Sequence, residues 1–160
     1  MNDRLTQAIT SVRRHRKSPA VLFLYVDRFK HINDSMGHAV GDQLLRSIAR
    51  RLLGCVRDSD TVSRYGGDEF VVLLSEVVCT RDVAVIAEKT LGALNKPHRI
   101  DDQSLHVTVS MGIGVYPDSG TDAEMLLKNA DVALLQAKAH GRSSYRFFNP
   151  DLNVHALKRA

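Results

Sequence analysis

The chain contains the stretch Ser63-Arg64-Tyr65-Gly66-Gly67-Asp68-Glu69-Phe70-Val71-Val72-Leu73-Leu74, in which a glycine turn separates an alternating segment from an apolar run. The apolar run from Phe70 to Leu74 is long enough for one buried strand and too short for a typical helix. The segment from Thr61 to Tyr65 alternates and is rich in β-formers, so the two segments predict a hairpin joined at Gly66-Gly67. We expect these glycines to permit positive φ and the close approach of a ligand.

Two adjacent carboxylates, Asp68 and Glu69, follow the glycines at the predicted tip of this hairpin. Neighbouring strand residues point to opposite faces of a sheet, so a ligand reaches both only if it wraps around the tip. Carboxylate oxygens suit Mg²⁺, which keeps substrate phosphates among its ligands. The pair therefore indicates a metal-assisted nucleotide site, and the alternative for an arbitrary Gly-Gly-Asp-Glu is a solvated turn.

Length and composition predict one globular domain with its own core, because 160 residues are 44% hydrophobic and 25% charged. The longest apolar run, Ala20 to Val26, is too short to cross a bilayer, so we expect no membrane contact by this segment. Cys55 and Cys79 lack metal-site spacing and are predicted to be reduced thiols in a cytoplasmic protein. The formal charge of +4 is dispersed, which indicates mild attraction to phosphates and no nucleic acid partner.

Hydrophobic periodicity predicts alternating helices and strands. Helices are expected at residues 1–17, 40–56, 80–97 (capped by Thr80) and 121–140 (opened by a capping box), and strands at 20–26, 61–65, 70–74, 98–100, 105–116 and 143–148. Residues 27–38 form a polar segment dense in ligand-type side chains, and residues 98–116 are expected to form a second hairpin around 101–104. This order argues for an α+β fold in which helices flank a central, mostly antiparallel sheet.

The stretch from Arg64 to Leu74 resembles the signature of the GGDEF family, the diguanylate cyclases, and further motifs match that family in order from residue 2 to residue 159. The resemblance implies a ferredoxin-like core similar to the polymerase palm and to class III nucleotide cyclases. It also implies that two facing subunits, a homodimer, condense two GTP into cyclic di-GMP and pyrophosphate with Mg²⁺ or Mn²⁺.

The resemblance assigns roles to individual residues. Asp68 and Glu69 match the metal-binding and catalytic acids, and Gly67 matches the glycine against which the guanosine lies. Further matches to substrate-binding positions are Asn33 and Asp42 for guanine, Phe29 and His38, Lys30 for the terminal phosphates, and Lys138 and Arg142 for the triphosphate. The last pair lies in the closing motif 129–142, where a spacing of four residues is expected to place both on one helix end.

Structural roles without ligand binding remain open for these positions. Asp42 could be an exposed acid in the first turn of a helix, and Asn33 could form an Asx turn. Lys30 could be solvated, and Phe29 is expected in the core in either case. Lys138 and Arg142 could simply complement a helix dipole.

Arg57-Asp58-Ser59-Asp60 fits the family's R-x-x-D inhibitory site at the family's spacing. There, Arg57 would bind phosphate of the product and Asp60 would accept from the N–H groups of guanine. The motif therefore predicts feedback by cyclic di-GMP. The alternative is an ordinary charged loop.

One departure from the family pattern concerns the metal. The family strand ends D-x-D-x-F-K, whereas this chain has Tyr25 at the first aspartate, followed by Val26 and Asp27. A neutral phenol is a poor Mg²⁺ ligand. Asp27 lies two residues further on, about 6–7 Å along a strand, and could compensate only if the strand bends. One metal could still be held by Asp68, Glu69 and the backbone carbonyl of Val26.

The ends of the sequence suggest a piece of a larger signalling protein. Residues 1–148 are expected to form the GGDEF domain without the family's usual first segment, and residues 149–160 resemble the linker to an EAL phosphodiesterase domain. Sensor domains would precede it, and the full-length protein could be membrane-anchored.

Two functions from different classes follow from these observations. The first is an active diguanylate cyclase with product inhibition. The second is a catalytically impaired domain that binds GTP or cyclic di-GMP and regulates an attached EAL phosphodiesterase. A nucleic-acid-binding module is disfavoured, because no aromatic base-stacking motif lies on the predicted sheet.

Overall fold

The structure, a computed structural model, describes residues 2–15 and 18–149, with side chains from residue 18 onward and in residues 2–10. The elements in chain order are α1 (Asn2–His15), β1 (Ser18–Val26), α2 (Phe29–Met36), α3 (His38–Cys55), β2 (Thr61–Arg64), β3 (Glu69–Val77), α4 (Thr80–Asn95), β4 (His98–Ile100), β5 (Gln103–Leu105), β6 (Val109–Val115), α5 (Ala123–Ala139) and β7 (Tyr145–Phe147).

Five strands form the central sheet in the order β2-β3-β1-β6-β7. The pairs β2–β3, β3–β1 and β1–β6 are antiparallel, and only β6–β7 is parallel. The predicted α+β class with a mostly antiparallel sheet is therefore confirmed. The central strand, β1, ends where the β2–β3 hairpin turns, so its last residues lie beside the acidic pair.

Two cores form on the two faces of the sheet because successive strand residues point to opposite sides. On one face, Leu22 and Leu24 of β1 pack with Phe70 and Val72 of β3 under α3 and α4. On the other face, Val21, Phe23, Val71 and Leu73 pack against Leu5 of α1 and Leu126 and Leu134 of α5. Each functional residue near the end of β1 is consequently assigned to one of these two sides.

Helix α2 lies within residues 27–38, for which the sequence pattern predicts a polar segment and no helix. Phe29, Ile32 and Met36 have helical spacing, and Phe29 is buried in the core below α3. The stripe is short and its polar neighbours hide it, because an eight-residue helix offers only two turns of pattern.

The second predicted hairpin is wrong in its pairing. Residues 98–100 pair with Gln103–Leu105 in a separate two-stranded sheet, while β6 joins the central sheet beside β1. A three-residue partner cannot cover the seven residues of β6, of which six are buried, so the longer strand pairs with β1.

Two predicted helix caps also differ. Thr80 is the first residue of α4 and Cys79 occupies the cap position. Helix α5 begins after Asp122, whose carboxylate accepts a hydrogen bond from the backbone N–H of Met125 at 2.8 Å, so the predicted capping box starting at Thr121 is wrong by one residue. Asp122 accepts from the N–H group three residues after the cap, as a capping side chain ordinarily does.

Residues 150–160 of the predicted linker lie outside the described part of the chain. Within the described ranges, none of the helices combines the length and hydrophobicity needed to span a bilayer.

Gly112 of β6 provides a test of the packing between the sheet and α5. A Cβ atom there would overlap the backbone of Ala130 and Leu134 and would lie 2.8 Å from the Cα of Leu134. We expect Gly112→Ala to lower the free energy of unfolding by about 2 kcal/mol or more, because the backbones must separate.

Gly92→Ala in α4 is the matched control, because a Cβ at Gly92 meets no atom within 4 Å. In a helix interior that substitution should raise stability by roughly 0.5–1 kcal/mol. Urea denaturation of both variants measures whether the free energy of unfolding falls or rises. An unchanged stability for Gly112→Ala would refute the close packing of β6 against α5.

Candidate functional site

The tip of the β2–β3 hairpin is fixed by hydrogen bonds to its own carbonyl groups. The carbonyl of Glu69 accepts from the backbone N–H groups of Tyr65 at 2.8 Å and of Gly66 at 3.4 Å. The guanidinium of Arg64 donates to the carbonyls of Gly66 at 3.1 Å and Gly67 at 3.0 Å. These contacts confirm the predicted hairpin and hold its loop in one shape.

The expectation of positive φ at the two glycines is wrong. The glycines with positive φ in the described chain are Gly37, Gly120 and Gly141. A Cβ at Gly67 would meet no protein atom within 4 Å, and one at Gly66 would make only ordinary contact with Glu69. The glycines therefore leave space beside the turn, which agrees with the second expectation, close approach of a ligand.

The hairpin tip is anchored to the end of β1. The backbone N–H of Val26 donates to the carbonyl of Asp68 at 2.9 Å, and Tyr25 lies directly opposite Glu69 in the β1–β3 register. Because cross-strand partners share a face, Tyr25 and Glu69 lie together on the side of the sheet covered by α1 and α5.

Two cations converge on the ring of Tyr25. Nζ of Lys138 lies 3.5 Å from the ring centroid, and Cζ of Arg142 lies 5.8 Å from it. Lys138 is in the last turn of α5, whereas Arg142 lies beyond the helix with a φ of 61°. The two cations therefore meet as predicted, but they do so through the turn after the helix and not through a shared helical face.

Glu69 lies among other acids on this side. Burial raises the pKa of its carboxyl, and the nearby charges of Asp131 and Asp68 raise the pKa further, while Lys138 acts in the opposite direction. Glu69 and Asp131 also border a hollow of about 300 Å³ together with Phe23 and Tyr65, whose rings meet edge to face at 5.1 Å. Asp131 was not singled out in the sequence, because its helix position gave no sign that it approaches the hairpin.

Asp27 does not replace the missing metal ligand. Asp27 is 4% exposed, and its carboxylate accepts hydrogen bonds from four donors on two segments of the chain. These donors are Oγ1 of Thr108 at 2.7 Å, Oγ of Ser110 at 2.8 Å, Nη1 of Arg142 at 3.3 Å and the backbone N–H of Ser143 at 3.2 Å. Both oxygens are used within the protein, so this acid joins β1, β6 and the turn after α5.

The residues predicted to bind guanine lie on the other side of the hairpin. Asp42 is exposed in the second turn of α3 and borders a hollow of about 360 Å³ together with Arg64 and Phe70. Its predicted alternative, a first-turn acid, is therefore wrong.

Asn33 of α2 lies against α3, where only a glycine leaves room for it. A Cβ on Gly41 would overlap Oδ1 of Asn33. That oxygen is buried, and no group in the described part of the chain donates a hydrogen bond to it. A buried acceptor without a donor carries a desolvation cost that no contact among the described residues offsets.

The remaining predicted substrate contacts differ in exposure. Phe29 is 6% exposed and belongs to the core, as expected. Lys30 on α2 and His38 at the start of α3 are both exposed. The structure gives neither side chain a protein contact that argues for a role.

Arg57 and Asp60 of the predicted inhibitory site lie close together but differ in exposure. The side chain of Arg57 is 62% exposed and donates to the carbonyl of Glu76 at 2.8 Å. The side chain of Asp60 is 1% exposed and accepts from the backbone N–H groups of Ser75 at 3.1 Å and Arg57 at 3.0 Å. Asp60 thus ties its loop to β3.

The side chains present do not fit a two-metal centre. Within residues 2–10 and 18–149, no group of three or more His, Cys, Asp or Glu side chains could hold a metal ion. The side chain of Tyr25 is a phenol that packs under two cations, at the position where the sequence pattern of the resemblance predicts a carboxylate. Both carboxylate oxygens of Asp27 accept hydrogen bonds from within the protein. Among the described residues, the ligands predicted from the sequence are Asp68, Glu69 and the carbonyl of Val26.

Comparison with known proteins identifies the family. The family described as "Diguanylate cyclase, GGDEF domain" matches residues 1–144. The chain belongs to the GGDEF family. Members that are diguanylate cyclases generally use a divalent metal.

Two curated relatives come from Pseudomonas aeruginosa. The bifunctional diguanylate cyclase/cyclic di-GMP phosphodiesterase MucR is 41% identical over 159 residues, which cover 99% of this chain and 23% of MucR. The cyclic di-GMP phosphodiesterase NbdA is 40% identical over 157 residues, which cover 98% of this chain and 20% of NbdA. The chain thus spans about a fifth of the length of these relatives.

A solved structure supports the fold. The crystal structure of the GGDEF domain of TpbB (YfiN) from Pseudomonas aeruginosa superposes with a TM-score of 0.90 at 40% identity and covers 92% of each chain. The expected GGDEF-type core is therefore confirmed for this domain.

Asp27 allows a direct test of its structural role. We expect Asp27→Ala to lower the free energy of unfolding by about 3–5 kcal/mol, because it leaves Arg142 and three other donors without their acceptor. Asp34→Ala, at an exposed position on α2, should change stability by less than about 0.5 kcal/mol. If urea denaturation gave the same loss of stability for both substitutions, the hydrogen bonds of Asp27 would not stabilise the fold, and the structural role of its carboxylate would be refuted.

Proposed function

We propose that this GGDEF domain binds GTP around the tip of the β2–β3 hairpin. The guanine would enter the hollow beside Asp42, whose carboxylate would accept from its N–H groups. Asn33 of α2 would contribute through its side-chain amide, because its buried Oδ1 has no donor among the described residues. The phosphates would pass Gly67 to Lys138 and Arg142 on the opposite side. Gly67 supports this path, because no side chain fills the space beside it.

Catalysis is proposed to be impaired in this domain. The observation that carries this proposal is Tyr25, which lies opposite Glu69 with Lys138 packed on its ring. Phosphoryl transfer requires close neutralisation of the developing charge, and losing a metal carboxylate removes part of that stabilisation. Asp68 and Glu69 would remain as the catalytic acids, with Val26 contributing a carbonyl.

The function that follows is regulatory. A domain that binds GTP without consuming it could control a cyclic di-GMP phosphodiesterase in the same protein, such as an EAL domain joined through residues 149–160. The names of MucR and NbdA, which include phosphodiesterase activity, favour this arrangement. Because GTP is a cytoplasmic nucleotide, the domain would act in the cytoplasm, with sensor domains elsewhere in the protein supplying the input.

An active diguanylate cyclase is the second candidate. The complete Gly66-Gly67-Asp68-Glu69 sequence favours it, and MucR carries cyclase activity in its name. In this case two copies of the domain would face each other as a homodimer, each holding one GTP with Mg²⁺ or Mn²⁺. Lys30 and His38 would then contribute to holding the substrate.

Binding of cyclic di-GMP at Arg57 is part of both candidates. The exposed guanidinium of Arg57 suits a phosphate of the cyclic dinucleotide. The buried Asp60 would chiefly keep the loop in place, because its oxygens already accept two backbone N–H groups.

Incubation with GTP and Mn²⁺ separates the two candidates. We expect the chain to bind GTP in calorimetry and to form no cyclic di-GMP or pyrophosphate, because Tyr25 supplies no negative charge to the metal. Tyr25→Asp should gain measurable synthesis, whereas Tyr25→Phe should remain inactive.

Synthesis by the unmodified chain would instead establish the cyclase. Failure to bind GTP with or without Mn²⁺ would remove both candidates. The Tyr25→Phe variant controls for loss of the hydroxyl, because it keeps the ring under Lys138.

A further inference from the structure

We infer that this domain binds the triphosphate of its nucleotide without a divalent metal, because Lys138, held on Tyr25, supplies the positive charge there. This inference rests on the proposed GTP binding and concerns the cation that binding requires. It follows from the disagreement between the donor set of this chain and the metal use of its family.

Lys138 lies beside the paired ends of β1 and β3. Tyr25 and Glu69 are cross-strand partners, and Nζ of Lys138 is 3.5 Å from the ring centroid of Tyr25. One fixed cation therefore lies against the residue that faces Glu69 across the two strands.

The ring of Tyr25 orients the ammonium of Lys138 and leaves some of its N–H groups free to donate hydrogen bonds. An ammonium has three N–H donors, and a cation–π contact uses one side of it. The remaining donors stay available for phosphate oxygens. A carboxylate at position 25 would bind the ammonium as an ion pair and compete with the phosphates for it.

Arg142 supplies a second fixed cation. Its guanidinium lies 5.8 Å from the same ring, and one nitrogen is 3.3 Å from the buried carboxylate of Asp27. The backbone N–H of the next residue, Ser143, bonds the same acid at 3.2 Å. Asp27 is thus a positioning residue, which holds the turn after α5 so that Arg142 faces Tyr25.

The charge balance points in the same direction. A neutral ring at position 25 removes one negative charge from the surroundings of the triphosphate, while both cations remain. A metal-free triphosphate therefore meets less repulsion here than beside a carboxylate, and a divalent ion meets fewer charged oxygens.

Calorimetry with GTP in excess EDTA, and separately in Mg²⁺, tests the inference on the 160-residue chain. We expect binding in EDTA to be within about threefold of, or tighter than, binding in Mg²⁺. Tyr25→Asp should bind at least roughly 10-fold more weakly in EDTA and recover in Mg²⁺, because it adds a negative charge that a metal can neutralise.

A substitution of Lys138 tests the proposed cation itself. Lys138→Gln should weaken GTP binding in EDTA roughly 10-fold to 100-fold, the loss expected when a charge-assisted hydrogen bond is removed. Lys96→Gln removes one positive charge from the exposed end of α4 and should leave binding unchanged. Circular dichroism and urea denaturation verify that each variant is folded.

The outcomes separate the inference from the proposed function. Binding that is more than about 10-fold weaker in EDTA than in Mg²⁺ would overturn the inference and leave GTP binding intact. Unchanged binding by Lys138→Gln would overturn the role of Lys138. Absence of binding under both conditions would overturn the proposed function, and the inference with it.

Discussion

The buried carboxylate of Asp27 is the constraint on which the site depends. It lies just after the central strand and accepts hydrogen bonds from β6, from Arg142 and from the turn after α5. A buried charge is tolerated only when its lone pairs are satisfied, so these four donors must remain in place for the domain to fold. The position of Arg142, and with it one side of the site, follows from that requirement.

The hairpin tip divides the site into two chemically different sides. Asp42 offers an exposed carboxylate on the side of α2 and α3, where Oδ1 of Asn33 lies buried without a donor among the described residues. Lys138 and Arg142 offer cations on the side of α5, which suits phosphates. The glycines between them carry no side chain that would block an extended ligand, so the turn connects the two sides. A nucleotide has the same division into a base and an anionic tail.

Tyr25 sets the electrostatic character of the side of the hairpin that faces α5. Within a pattern of paired acids, cations near the strand ends would balance carboxylates and a metal. Here they pack on an aromatic ring, which attracts cations through its electron-rich face and carries no net charge. The consequence is a fixed positive region beside Glu69, whose own pKa is raised by burial and by the neighbouring Asp131 and Asp68.

The sequence by itself determined the hairpin, the central strand and the family, because Phe70–Leu74 and Ala20–Val26 have the length and composition of buried strands and the glycine turn is local chemistry. It also located Tyr25 as the departure, since that position follows from the spacing of neighbouring motifs. Only the tertiary structure decided that Asp27 is unavailable as a ligand, that Lys138 and Arg142 meet on Tyr25, and that Asp131 approaches Glu69. Those contacts join residues far apart in the chain, and side-chain hydrogen bonding across strands and turns leaves no periodic signal in the sequence.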